Sequence, residues 1–206
     1  MVVTVLVLAA GSSQRLGRPK QLLPYRGTTL LDATLSVARS CGLDQVMVTL
    51  GGAGDAVRSA VDLSGLDVVD NPDFGAGCGS SIAAAVELLD ERTDGIALLL
   101  GDQPGVSPAT VRRLVDAAAG SPLGVCRYAD ALGHPFWFGR EVFSDLRALH
   151  GDKAVWKLLE SGRYPVIEVD AEGLVPLDVD TWDDYEALLA RDAEARGVDK
   201  SQGVST

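Results

Sequence analysis

An α/β domain with a mostly parallel sheet is predicted by three observations. Residues 2–10 are almost wholly apolar and rich in β-branched side chains. Strand-like runs then alternate with helix-like segments, the pattern of successive βαβ crossings. The length of 206 residues gives room for about one domain. An opening run this apolar suits a parallel strand covered on both faces better than a half-exposed hairpin strand.

After that strand, Thr29 with Asp32 reads as a helix N-cap pair, and Leu30, Leu31, Thr34, Leu35 and Ala38 follow at helical spacing up to Gly42. Residues 45–50 read as a strand, 53–61 as a helix and 66–69 as a strand. A Gly-rich loop, 71–81, opens onto an apolar helix at 82–89 that Ser81 would cap. Residues 96–100 form the next strand, Ser107-Pro108 caps a helix through 119, and 123–128 and 135–138 read as strands. A short helix reaches Leu159, a late strand covers 166–169, and Thr181 with Asp184 caps a last helix running to about Arg196. Asp178 and Asp180 alternate, which on a strand points both to one side. Domain limits of 1–196 are expected, with 197–206 as a polar, mobile tail.

Composition narrows the classes of partner. A net charge of −11 and a sequence pI near 4.5 argue against a nucleic-acid surface, which needs a basic stripe. Cys41, Cys78 and Cys126 are odd in number and widely spaced, so neither a disulfide framework nor a zinc site is indicated, and reduced thiols fit. Residues 2–10 are too short for a membrane span and lack a signal peptide's basic leader. A cytoplasmic protein with no membrane partner is expected.

Gly11 ends the first strand, and Arg15 and Lys20 follow it closely. Without a Cβ, Gly11 lets the backbone turn and aim N–H groups at an anion, with the two cations supplying charge. A P-loop is excluded because Gly17 is followed by Arg18 and Pro19. A dinucleotide fingerprint is excluded because Ser13 stands where its second Gly belongs. The string from Leu8 to Leu23, L-A-A-G-x-S-x-R-x-G-x-P-K-Q-L-L, resembles the nucleotide-binding loop of the nucleoside-triphosphate transferases, most closely the molybdenum cofactor cytidylyltransferases.

That resemblance runs from about Val3 to Leu189. It implies a single Rossmann-like nucleotidyltransferase domain with one antiparallel strand on the acceptor side. It also implies a nucleotide site of Leu8, Ala9, Ala10, Gly11, Ser12, Ser13, Arg15 and Lys20, closed over the base by Asn71, Gly79, Ser80 and Ser81. Arg15, Lys20 and Asp102 become the catalytic residues. In Gly101-Asp102-Gln103-Pro104, Asp102 sits at the carboxyl end of a central strand, where open α/β sheets bind ligands. With Asp180 of the D-x-D-T-x-x-D string it is the expected Mg2+ pair, Asp178 being a weaker supporting candidate. His134 in G-H-P and Asp152 and Lys153 in G-D-K resemble the acceptor-binding residues, whereas His150 reads as a surface residue.

The implied reaction is magnesium-dependent transfer of CMP from CTP to the terminal phosphate of molybdopterin. Ala10 favours CTP over GTP, because the guanylyl branch more often has Gly there. A molybdoenzyme or its chaperone is the implied recipient. The family continues G-D-K with Gly, Ala, Arg, but Ala154, Val155 and Trp156 stand here. Lys157, Arg163 or Arg127 could replace the missing cation, or Trp156 could be core beside a different acceptor with a flat face. Three competing readings are a nucleotidyltransferase for a sugar phosphate, a non-catalytic nucleotide or cofactor chaperone, and a nucleotide-sugar glycosyltransferase.

Overall fold

The computed structural model describes residues 1–202, with side chains through 195. In chain order the strands are β1 (Val2–Ala9), β2 (Pro24–Tyr25), β3 (Thr28–Thr29), β4 (Gln45–Leu50), β5 (Asp67–Asp70), β6 (Thr93–Leu100), β7 (Leu123–Arg127), β8 (Leu132–Gly139) and β9 (Val166–Asp170). The helices are α1 (Leu30–Ser40), α2 (Gly54–Ala60), α3 (Cys78–Val86), α4 (Pro108–Ala118), α5 (Phe143–Arg147), α6 (Ala154–Leu159) and α7 (Trp182–Gln202).

Seven strands form one sheet in the order β5-β4-β1-β6-β8-β7-β9, and β2 and β3 make a separate two-residue ribbon. Every pairing in the large sheet is parallel except those of β8 with β6 and β7. The single antiparallel strand expected on the acceptor side is therefore β8. Its direction brings its amino-terminal residues to the edge where β1, β4 and β6 end.

Side-chain alternation along β1 feeds two cores. Val3, Val5 and Val7 pack with Leu31 and Leu35 of α1, Val57 of α2 and Val111 and Leu114 of α4. Leu6 and Leu8 face the other way, onto Ile82 and Ala85 of α3, Leu146 of α5 and Val155 and Leu158 of α6. A third cluster joins Leu16, Leu23, Tyr25 and Leu30 to Val179 and Leu188. That small core fastens the carboxyl-terminal segment across the first loop, bringing Asp180 opposite Arg15 and Lys20.

The caps read from the sequence form. Thr29 Oγ1 accepts from Asp32 N at 3.0 Å, Ser107 Oγ from Thr110 N at 3.1 Å and Thr181 Oγ1 from Asp184 N at 3.2 Å. Three boundaries differ from expectation. Helix α3 begins at Cys78 rather than Ile82 because Gly77, at φ 95°, takes the turn that a Ser81 cap would have made. Asp178 and Asp180 lie on unpaired chain, not on a strand. Helix α7 continues through Gln202 rather than stopping near Arg196, while residues 203–206 of the expected tail lie outside the described residues. No helix among the described residues is long and apolar enough to cross a membrane. The three cysteines are free thiols.

Gly95 pairs with Gly139 of β8, and a Cβ on it would stand 2.0 Å from Cη2 of Trp137. The indole is 1% exposed and is held by Nε1 donating to Ser121 O at 2.9 Å, so it has no open side to move into. Gly95→Ala is expected to cost about 1–3 kcal/mol by overpacking, seen as a lower urea midpoint. An unchanged midpoint would contradict this packing.

Candidate active site

A cavity of about 870 Å³ opens at the carboxyl ends of β1 and β6 and the start of β8. Leu8, Ala9, Ala10, Gly11, Ser12, Ser13, Arg15 and Lys20 all line it, as do Ser81, Asp102, His134, Asp152, Asp178 and Asp180. Asn71, Gly79, Ser80 and Lys153 do not. Asn71 Nδ2 donates to Ser80 Oγ and to Ser81 Oγ, each at 2.9 Å. Its Oδ1 accepts from Asp73 N, so this buried amide is spent on shaping the Gly-rich loop. Gly79 is pressed against another loop, its added Cβ falling 2.8 Å from His150 N. Lys153 caps α6 and is exposed.

The first loop is shaped by residues whose roles are internal to it. Ser13 takes a left-handed φ of 52°, and its Oγ accepts from Lys20 N at 2.9 Å. Gln21, 2% exposed, donates Nε2 to Ala9 O at 2.7 Å and Gly11 O at 3.0 Å. Those contacts fold the end of β1 and the lysine segment together. Gln21 was not among the expected site residues, although a polar side chain beside the apolar Leu22 and Leu23 is the signal that marks it.

Lys20 lies at the centre of the charges. Its Nζ donates to Asp102 Oδ2 at 2.6 Å and to Asp180 Oδ1 at 2.8 Å, while Arg15 Nη2 reaches Asp180 Oδ2 at 2.7 Å. Burial acts to lower the lysine pKa, but Asp102 and then Asp180 outweigh it and the value is raised, so the ammonium stays charged. Burial likewise opposes ionisation of Asp180, yet Lys20 and Arg15 hold its pKa below the usual carboxylate range. Asp178 is pushed up to about 6, first by burial and then by the charge of Asp102. Its Oδ1 accepts from Gln103 Nε2 at 2.6 Å.

Four carboxylates, Asp102, Asp152, Asp178 and Asp180, thus line the cavity against two cations, Arg15 and Lys20. An anionic ligand entering this excess of negative charge needs a cation with it. Among the described residues no group of three or more His, Cys, Asp or Glu side chains is placed to hold a metal ion unaided. Asp102 and Asp180 fit Mg2+, which takes one or two carboxylates and completes its shell with phosphate oxygens and water.

The β8 end is different in character. The His134 ring lies 4.1 Å from that of Phe136, tilted by 47°, and the Phe136 ring meets Trp156 edge-on at 5.1 Å. Burial pushes His134 down to about 3, leaving a neutral imidazole. Arg127, Arg163 and Lys157 do not line the cavity; Arg127 pairs with Glu168 and Arg163 with Asp145. None of them supplies the cation expected beside Trp156, which is itself a wall of the cavity. Phe74 and Cys78, also in the wall, lacked a distinguishing sequence signal.

Residues 5–166 match the MobA-like NTP transferase domain, and the chain belongs to that family. It is 57% identical to Rv0371c of Mycobacterium tuberculosis H37Rv, whose crystal structure superposes with a TM-score of 0.87 over 92% of this chain and 98% of that one. A crystal structure of Rv0371c in complex with manganese matches at 56% identity and a TM-score of 0.85, covering 92% of this chain and 99% of that one. Purine catabolism protein PucB of Bacillus subtilis is 30% identical over 88% of this chain and 93% of its own length. Nicotine blue oxidoreductase of Paenarthrobacter nicotinovorans is 40% identical, the match spanning 55% of each chain. That membership places the chain in a family of nucleotidyltransferases.

Removing the Gln21 amide leaves two backbone carbonyls without their donor. Gln21→Ala is expected to lower triphosphate affinity about tenfold by loosening the loop, and Gln21→Glu more strongly, since it presents an acceptor to both carbonyls. Calorimetric titration of the triphosphate with Mg2+ measures both. Wild-type affinity in Gln21→Glu would show that the loop is held by other contacts.

Proposed function

We propose that this nucleotidyltransferase moves CMP from CTP, with Mg2+, to the terminal phosphate of molybdopterin and releases pyrophosphate. The observation that carries the reading is the placement of Lys20 between Asp102 and Asp180 beside the Gly11 loop. A cation that two carboxylates share is one that phosphates can draw off, leaving both carboxylates free for a metal.

Backbone amides around Gly11 hold the triphosphate, and Arg15 and Lys20 balance charge on its β and γ groups. Asp102 and Asp180 would hold the magnesium ion, which when bound polarises the α-phosphorus and bears charge of the leaving group. An oxygen of the acceptor phosphate attacks the α-phosphorus, a new P–O bond forms, and the α–β bridging bond breaks with both electrons going to pyrophosphate. The acceptor oxygen is already anionic, so no base is required. That agrees with His134, whose pKa lowered by burial makes it a weak base. The side chains contribute position and charge.

CTP is favoured over GTP because Ala10 carries a methyl group in the cavity wall, and a filled wall disfavours the larger purine by about 1–3 kcal/mol. A molybdenum cofactor is consistent with the wall of Phe136, Trp156 and neutral His134, which accepts a flat ring. A sugar phosphate finds less support there, since no cation among the described residues lines that end. A molybdoenzyme or its chaperone remains the proposed recipient.

Pyrophosphate release from CTP with molybdopterin tests the reading. Asp102→Asn and Asp180→Asn should keep the circular dichroism of the wild type and lose turnover by at least about a hundredfold, because an amide brings no charge to magnesium. Lys20→Ala should weaken CTP binding at least about tenfold. Wild-type turnover in either aspartate variant at limiting Mg2+ would remove that residue from the metal site. Comparable kcat/KM for GTP and CTP would overturn the choice of donor.

A further inference from the structure

The residue after Asp102 joins two parts of the charged site without entering the cavity. Gln103 is 2% exposed and does not line the pocket, whereas Asp102, Asp178 and Asp180 do. Its Nε2 donates to Pro176 O at 3.3 Å and to Asp178 Oδ1 at 2.6 Å, so both N–H groups of one amide are spent on the segment that leads to Asp180. A carbonyl and a carboxylate both accept, which fixes the orientation of the amide. Its other atom bears the consequence: Gln103 Oε1 is buried and has no hydrogen-bond partner. An orphaned buried acceptor is rare enough to need a reason. Here the reason is that turning the amide over would set Oε1 against two other acceptors.

The segment held in this way has no regular structure of its own, since residues 171–181 belong to no helix or strand. Its first half is tied at exposed positions, where Val175 N donates to Asp130 Oδ1 at 2.9 Å and Val175 O accepts from Arg191 Nη1 at 3.0 Å. At its far end Val179 packs into the third cluster, Asp180 N donates to Asp184 Oδ2 at 3.1 Å, and the Asp180 carboxylate pairs with Arg15 and Lys20. Asp102, by contrast, is placed by the sheet, with Gly101 N donating to Leu8 O at 2.9 Å and Gln103 N to Leu100 O at 3.1 Å. Lys20 bridges Asp180 to Asp102, but Lys20 and Arg15 are the cations that a triphosphate draws to itself. Once they turn to phosphate, the hydrogen bonds from Gln103 are what still join residues 176–178 to the turn that carries Asp102.

We propose that Gln103 is a positioning residue for the metal: it clips residues 176–178 to the end of β6 and so keeps Asp180 within reach of the ion that Asp102 holds after Lys20 and Arg15 have left both carboxylates. Gln103 touches neither metal nor nucleotide and acts through Asp178 and the chain beyond it. This role rests on the assignment of Asp102 and Asp180 to Mg2+ under the nucleotidyl-transfer reading, and binding measurements separate the two.

CTP dissociation constants from calorimetry in saturating Mg2+ and in EDTA, at one ionic strength, give for each variant the factor by which metal tightens binding. In Gln103→Met, which keeps the volume and removes both donors, that factor should fall at least about threefold while the affinity in EDTA stays within about twofold of wild type. Gln103→Asn is too short to reach both partners and should lower the factor in the same direction; it carries the test if circular dichroism shows that Gln103→Met does not fold. Arg191→Ala frees the same segment at its exposed end and should leave the factor unchanged. Equal weakening with and without metal would reduce Gln103 to a support of the fold and overturn the proposal. So would a wild-type factor in both Gln103 variants, or an equal loss in Arg191→Ala. A wild-type protein that binds CTP equally in Mg2+ and EDTA would instead defeat the metal assignment itself, and this role with it.

Discussion

Charge balance around Lys20 is the constraint on which the rest of this site depends. One ammonium, 15% exposed along its side chain, is shared by Asp102 at 11% and Asp180 at 43%. Leaving Asp102 unpaired at such burial costs several kcal/mol, whereas Asp180, more exposed and paired also with Arg15, loses much less. The pairing therefore holds three distant parts of the chain together: the loop after β1, the end of β6 and the segment before α7. It also explains the third cluster of apolar residues, in which Val179 and Leu188 pack on Leu16 and Leu23. That packing brings Asp180 across to a lysine it could not otherwise reach from 160 residues away in sequence.

A second constraint is backbone approach at the far side. Gly77 and Gly79 allow the loop that ends in Asp152 to lie directly on the start of α3. Asn71 meanwhile fixes the other end of the Gly-rich loop through Ser80 and Ser81. Gly151 N donates to Ala76 O and Gly79 N to Gly151 O, so the nucleotide side and the β8 side of the cavity share a wall. Most of the residues expected to touch the base in that loop instead build it, and Ser81 alone of the four faces the cavity.

Much of this was legible in the sequence because it depends on local chemistry. The apolar run of β1, the Thr29, Ser107 and Thr181 caps, and Asp102 at a strand exit follow from propensity, capping and the geometry of open sheets. What was not legible depends on distant contacts. The start of α3 is set by Gly77 folding against Gly151, and the orientation of Asp178 and Asp180 by packing under α7 rather than by a strand's alternation. The partners of Gln21, by contrast, are carbonyls with no residue identity to read, so its polar side chain beside Leu22 and Leu23 was the only signal. The part of Trp156 was open in the sequence between core and cavity; the structure gives it both, since it packs on the second core and lines the pocket.

The central claim is that the cavity's excess of carboxylate over cation must be met by a divalent ion before a triphosphate can enter. The direct measurement is the CTP dissociation constant of the wild-type protein in saturating Mg2+ and in EDTA, at one ionic strength. The account predicts at least about a tenfold loss of affinity in EDTA, worth 1.4 kcal/mol or more, with most of that loss disappearing in an Asp180→Asn, Asp102→Asn double variant. Equal affinity with and without the metal in the wild-type protein would contradict it.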